Sequence, residues 1–84
     1  MGSRRKPAEA LVAEMKAALA RTLRRRRAAR GISQKALARL LGSSQSRVSK
    51  IEADAPEVSL ELLVRAVLAV GATRREIGRA VGGG

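Results

Sequence analysis

Three glycines divide this chain into short segments, and a serine or threonine follows each glycine within two residues. Gly31, Gly42 and Gly71 end stretches whose apolar residues recur at three- and four-residue intervals, the period of an α-helix. Glycine is favoured just after a helix because it adopts the positive φ that closes the last turn. Hydroxyl side chains cap the first turn of the next helix. These glycine and hydroxyl residues therefore predict short helices joined by turns. No segment has the alternating pattern of a strand.

The predicted class is therefore all-α, with five helices. Their expected ranges are 7–30, 34–41 after Ser33, 45–52 after Ser44, 60–70 after Ser59, and a last helix to Val81 that the capping box Thr73-Arg74-Arg75-Glu76 opens. The first helix is longer than so small a domain needs, and its apolar stripe is Leu11, Met15, Leu19 and Leu23. We expect one domain over residues 8–81, a disordered basic tail over residues 1–7 and a flexible glycine tail over residues 82–84.

Composition excludes several classes of function. The chain has no His, no Cys and no aromatic residue, so it lacks the usual ligands of zinc, haem and iron–sulfur clusters. It also lacks the commonest nucleophile and general base. We therefore expect no enzyme, no catalytic residue, no metal, no cofactor and no small-molecule substrate. No apolar run reaches the roughly 20 residues of a membrane span, and no signal peptide is evident, which predicts a cytoplasmic protein.

Charge favours a polyanionic partner. The net charge is +11, and residues 1–30 hold 10 Lys and Arg against 2 acidic residues, whereas residues 54–84 hold 4 of each. A domain this basic is attracted to nucleic acid or to an anionic membrane surface. Composition leaves both partners open, although the chain has no Trp or Phe to seat its first helix in a membrane interface.

Residues 34–53 combine two short helices with a three-residue turn. Helices joined this tightly cross steeply, so the crossing needs a small residue and the turn needs one that tolerates positive φ. Ala38 and Gly42 meet these needs, and the inward anchors are Leu37, Leu41, Val48 and Ile51. The outward side chains of the second helix are Gln, Ser, Arg and Lys. Their amides, hydroxyls and cations suit base edges and phosphates.

This pattern resembles the helix-turn-helix domain of the phage repressor and Cro class, the XRE family. The resemblance spans about residues 19–70 and rests on Arg30-Gly31-Ile32-Ser33-Gln34, Ala38, Gly42, Gln45-Ser46-Arg47-Val48-Ser49 and Ile51-Glu52. It implies a lambda-repressor-like domain, here with an extended N-terminal helix, that binds double-stranded DNA. It also implies that bases contact Gln45, Ser46, Ser49 and Lys50, and that phosphates contact Gln34, Lys35, Ser44 and Arg47.

The family also pairs an arginine of the first helix with the glutamate that follows the last anchor of the recognition helix. Arg27 and Glu52 match those positions, so the resemblance implies a structural ion pair. The arginines from Arg24 to Arg27 point about 100° apart around a helix and cannot all face one DNA backbone. Where many relatives carry glycine soon after the glutamate, this chain has Ala53-Asp54-Ala55-Pro56.

The fourth helix is apolar on nearly every side. Its expected inward residues are Leu60, Leu63, Val64, Val67, Leu68 and Val70, and its far side carries Leu62, Ala66 and Ala69. A helix this apolar is usually buried on more than one side. Either the first helix covers the far side, or a twofold partner does. We favour the partner, with Leu62, Ala66 and Ala69 in a homodimer interface, because helix-turn-helix proteins bind paired half-sites.

Together these features predict a cytoplasmic, bacterial nucleoid-associated repressor that binds a pseudo-palindromic operator as a homodimer. A related alternative is the antitoxin of a toxin–antitoxin pair, in which the apolar first helix binds a toxin protein and DNA binding serves autorepression. A membrane-surface anchor is the alternative from a different class. It is disfavoured because Arg26 falls on the apolar stripe of the first helix.

Overall fold

A computed structural model describes residues 7–82 as five helices. They are α1 (Ala8–Ala29), α2 (Gln34–Leu41), α3 (Gln45–Glu52), α4 (Leu60–Ala69) and α5 (Arg74–Gly82). Residues 7–82 contain no strand, which confirms the predicted all-α class. Pro7 is extended at the start of α1. The rest of the predicted basic tail and the last two glycines of the predicted glycine tail lie outside the described residues.

Local capping sets the helix ends. The Oγ atoms of Ser33, Ser44 and Ser59 each accept a hydrogen bond from an amide three residues on, at 3.0, 3.1 and 3.1 Å. The capping box at α5 is reciprocal, since Thr73 N–H donates to the Glu76 carboxylate and Glu76 N–H donates to Thr73 Oγ1, both at 3.1 Å. The predicted bounds of α2 and α3 are confirmed because these signals act within one helical turn.

The core is formed by residues of α1, α2, α3 and α4 and of the segments that follow α3 and α4. Its fully buried large side chains are all aliphatic: Leu19, Leu23, Leu37, Val48, Ile51, Leu63, Val67 and Val70. Burying a side chain of this size contributes about 1.5–3 kcal/mol. A core without aromatic residues can therefore stabilise this small domain.

The far side of α4 differs from the prediction. Ala66, expected in a homodimer interface, is 0% exposed, whereas Leu68, expected in the core, is 48% exposed. The fully buried positions are Leu63, Ala66, Val67 and Val70, so the inward direction is rotated toward Ala66. The reason is that α4 packs against both α1 and α2. The small Ala66 side chain permits close approach, and the prediction that Ala66 faces a second subunit is wrong. Leu62 and Ala69 are half-buried.

The start of α1 extends beyond the core and is accompanied by α5. Leu11 and Val12 are 43% and 41% exposed, whereas Met15 is half-buried. Gly82, predicted to begin the flexible tail, instead ends α5 and lines the same cavity as Leu11 and Met15. α5 packs against α1, and this packing favours the last helical turn of α5. Among residues 7–82, no helix is both long and apolar enough to cross a membrane.

Candidate nucleic-acid interface

A tight turn fixes α3 against α2. Gly42 has φ +63° and ψ +38°, the left-handed conformation, and the next amide, that of Ser43, donates to the Ala38 carbonyl at 2.8 Å. Ala38 is buried at the crossing of the two helices, as the motif predicts. The turn ends at Ser44, whose side chain caps α3. The backbone therefore determines where the first residues of α3 lie.

One side of α3 is buried and the opposite side is exposed. Val48 and Ile51 are fully buried, and these anchors place the outward arc of the helix in solvent. That arc contains the four residues predicted to contact bases, all exposed: Gln45, Ser46, Ser49 and Lys50. At about 100° per residue they span roughly 140° of the helix circumference. An α-helix is about 10–12 Å across with its side chains, which matches the roughly 12 Å width of the major groove.

Of the residues predicted to contact phosphate, Ser44 caps α3 and Arg47 lies in its first turn, whereas Gln34 and Lys35 begin α2. Lys35, Ser44 and Arg47 are exposed. Gln34 is half-buried, and its Nε2 donates to Glu52 Oε1 at 3.0 Å. The structure therefore gives Gln34 a bond within the protein, and its remaining amide hydrogen and carbonyl are the groups left for DNA.

The structure brings Arg27 and Glu52 together in a buried network. Arg27 Nε and Nη2 donate to the two carboxylate oxygens of Glu52, the latter at 3.1 Å, and Arg27 Nη1 donates to the Ile32 carbonyl at 2.9 Å. Glu52 is 4% exposed. With the Gln34 bond, this carboxylate links α1, α2 and α3. It fixes the orientation of the exposed arc of α3 relative to the rest of the domain.

The four consecutive arginines of α1 have different environments. Arg24 Nη1 donates to the backbone carbonyl of Glu52, which joins α1 to the C-terminal end of α3. Arg26 forms two hydrogen bonds to the Glu76 carboxylate, at 2.6 and 3.0 Å, which hold the pKa of Glu76 at about 2 and raise the pKa of Arg26. Arg25 is exposed. Three of the four arginines therefore have partners within the protein.

Sequence reasoning missed an ion pair beside the recognition helix. Lys50 Nζ lies 3.7 Å from Glu57 Oε2 in the loop after α3, and both side chains are more than half exposed. An exposed pair of this kind contributes little to stability, so Lys50 can leave it for another acceptor. The six residues between the partners include an irregular loop, and no periodic signal in the sequence indicates that Lys50 and Glu57 lie close together.

Comparison with known families agrees with this geometry. The helix-turn-helix family model HTH_3 matches residues 23–77, from the core of α1 into α5, and includes the whole α2–α3 unit. None of the curated proteins and none of the solved structures matches the chain. The match covers more than half of the chain and contains every residue of the turn and of the exposed arc. The chain therefore belongs to the XRE family of helix-turn-helix proteins and is a DNA-binding transcription regulator of that kind.

Proposed function

We propose that this protein is a repressor that binds a pseudo-palindromic operator as a homodimer, with α3 of each subunit in the major groove. The observation that carries the proposal is the exposed arc of α3, which presents polar groups on a helix held by buried anchors. The Gln45 amide suits adenine, the Lys50 cation suits guanine, and the hydroxyls of Ser46 and Ser49 suit either base.

Phosphate contacts set the register of α3 on the duplex. Lys35 in the first turn of α2 and Arg47 in the first turn of α3 supply exposed cations, and the hydroxyl of Ser44 can donate while its oxygen caps α3. Gln34 lies at the first turn of α2. Phosphates bind well at helix N-termini because the first amides have no partner within the helix.

The homodimer is proposed because one copy of α3 is short. Its 8 residues extend about 12 Å, enough for only a few base pairs. Two copies on half-sites about one helical turn apart double the contacts and raise sequence specificity. Leu62 and Ala69 remain candidates for the interface, since each retains exposed surface on α4.

The test separates base reading from phosphate contact. We expect Gln45→Ala to relax the preference of the full chain for its selected operator, whereas Arg47→Ala should weaken binding to all duplexes about equally and reduce the salt slope by about 1. Arg74→Ala on α5 is the matched control and should change neither. Binding should fall roughly 10³-fold between 50 and 200 mM salt if six phosphates are contacted. An affinity independent of salt contradicts the proposal.

A second candidate function is that of an antitoxin whose α1 also binds a toxin protein. The observation that favours it is the exposure of Leu11 and Val12 on the part of α1 that extends beyond the core. Co-expression with the protein encoded by the neighbouring gene tests it. A stable complex that loses its partner on Leu11→Gln supports this function, and separate elution of the two proteins contradicts it.

A further inference from the structure

A groove separate from α3 runs between α1 and α5. At one end it is lined by Arg21, Arg25 and Arg79 and has a volume of ≈ 350 Å³. At the other end it is lined mainly by apolar residues, among them Leu11, Met15 and Val81, with the carboxyl group of Glu14 beside them, and it has a volume of ≈ 420 Å³. Both ends share the same three residues, Ala18, Arg21 and Ala80, so the groove is continuous. Its basic half thus leads directly into its apolar half.

The basic half has cations without partners. Within residues 7–82, no hydrogen bond or ion pair engages the side chains of Arg21, Arg25 or Arg79, and all three are exposed. The carboxylate that lines this half, Glu76, is already bound by Arg26 through two hydrogen bonds. Glu76 also interacts electrostatically with Arg79, so Arg21 and Arg25 are the two cations of this half that no carboxylate among residues 7–82 offsets.

We propose that this groove binds an acidic amphipathic helix of another protein. The apolar face of the partner packs on Leu11, Met15 and Val81, and its carboxylates pair with Arg21, Arg25 and Arg79. Leu11 and Arg25 are 14 residues apart on α1, so the groove accommodates about 21 Å of helix, or about 14 residues. Arg21 and Arg25 lie one turn apart and match carboxylates spaced four residues apart on the partner. This arrangement is recognition of a helix in a groove.

Charge and polarity distinguish this partner from the other occupants. A DNA backbone offers phosphates for the arginines but no apolar group for the other half of the groove. A second copy of this chain carries a net charge of +11 that repels the groove, and its acids Glu52, Asp54 and Glu76 are already in partly buried ion pairs. An acidic amphipathic helix supplies both kinds of contact.

The groove and the DNA-binding surface lie on different sides of α1. Arg27, which binds Glu52 of α3, and Arg25, which lines the groove, are two residues apart and so point about 160° apart around the helix. The inference therefore goes beyond the DNA-binding function, because a protein can bind in the groove while α3 binds DNA. Leu11 is also the contact proposed for the antitoxin alternative, and for that alternative the inference names the chemistry of the partner segment.

The test uses the full chain and a synthetic peptide of about 14 residues, helical and amphipathic, with leucines along one face and glutamates one turn apart at one end. We expect NMR titration to shift amides of α1 and α5 and to leave those of α3 unchanged. The variant Arg21→Glu with Arg25→Glu should bind the peptide roughly tenfold more weakly or worse. The matched control, Arg74→Glu with Arg75→Glu, makes the same change in net charge at two exposed arginines that do not line the groove. It should bind within about twofold of wild type at physiological salt.

The apolar half has its own matched pair of variants. Leu11→Gln should weaken peptide binding, whereas Leu68→Gln, at a similarly exposed leucine of α4, should not. Equal binding of a peptide with glutamine in place of glutamate overturns the proposal, as does an absence of binding.

Three further outcomes also overturn it: amide shifts in α2 and α3, self-association that Leu11→Gln abolishes, and binding to anionic vesicles that Arg21→Glu with Arg25→Glu abolishes. The first outcome would show that the peptide binds the DNA-binding surface. The second would show that the groove is an interface between two copies of the chain, and the third that it binds a lipid surface. If the wild-type chain binds its operator but does not bind the peptide, that result refutes this inference alone and leaves the DNA-binding function intact.

Discussion

Glu52→Ala should weaken the domain more than any other single removal of charge. The Glu52 carboxylate accepts hydrogen bonds from Arg27 and Gln34 while it is 4% exposed. Alanine leaves the Arg27 guanidinium with the Ile32 carbonyl alone, at 2.9 Å. A cation would then remain between α1 and α3 without a counter-charge.

The magnitude follows from the burial of the two partners. Removal of one partner from a buried ion pair typically costs about 3–5 kcal/mol. The side chain of Arg27 is 21% exposed, so water offsets part of this penalty, and we expect a loss of about 2–4 kcal/mol in the free energy of unfolding. A domain of 84 residues has about 4–13 kcal/mol in total. The variant should fold at 25 °C with a much smaller margin of stability.

The measurement is urea unfolding followed by circular dichroism at 222 nm, since the chain has no Trp or Tyr for fluorescence. The matched control is Glu61→Ala, which removes a partner of Arg65 at 2.9 Å from an exposed surface and should cost less than about 0.5 kcal/mol. A double variant, Arg27→Met with Glu52→Met, should be more stable than Glu52→Ala because no buried charge remains. A loss below about 1 kcal/mol for Glu52→Ala would refute the reasoning that this network holds α3.

Three other predictions concern stability. Gly71→Ala should cost about 1–2 kcal/mol in urea unfolding, since Gly71 has φ +88°, whereas the control Gly78→Ala inside α5 should add about 0.5–1 kcal/mol. Hydrogen bonds from the α1 guanidinium hold the pKa of Glu76 at about 2, below the ordinary 4.5. Their contribution to the stability of α5 is therefore complete above pH 4.5 and is lost as the pH falls toward 2; amide exchange in α5 should show this, and Glu76→Gln should remove the pH dependence. Ala66→Leu should cost about 1–3 kcal/mol through overpacking, whereas Leu68→Gln should stay within about 0.5 kcal/mol, and equal effects would contradict the assigned inward face of α4.

Local signals made α2 and α3 predictable from the sequence. Ser33, Ser44 and Gly42 act through hydrogen bonds and backbone angles within one helical turn, and the bounds they predict agree with the structure. The exposed arc of α3 was equally predictable from the sequence, because two buried anchors three residues apart define the opposite side of a short helix.

The orientation of α4 was not predictable in the same way. An apolar arc that extends round most of a helix has no single centre, so the pattern alone does not determine which residues face inward. Contacts with α1 and α2 turn Ala66 inward, although this residue is too small to dominate a hydrophobic pattern. The Arg26–Glu76 pair joins residues 50 apart in sequence, and only the position of α5 against α1 brings them together.

The arginines of α1 show how the fold redistributes a charge that looks uniform in the sequence. Arg24, Arg26 and Arg27 bond to α3 and α5, and Arg30 Nη1 donates to the Val70 carbonyl at the end of α4, at 2.9 Å. These arginines therefore join elements of the domain together, and two of them, Arg26 and Arg27, are also paired with carboxylates. The cations left free on α1 point toward the α1–α5 groove, away from the recognition helix. Hence the salt dependence of operator binding should change little in Arg25→Ala and measurably in Arg47→Ala, although the two arginines are equally charged.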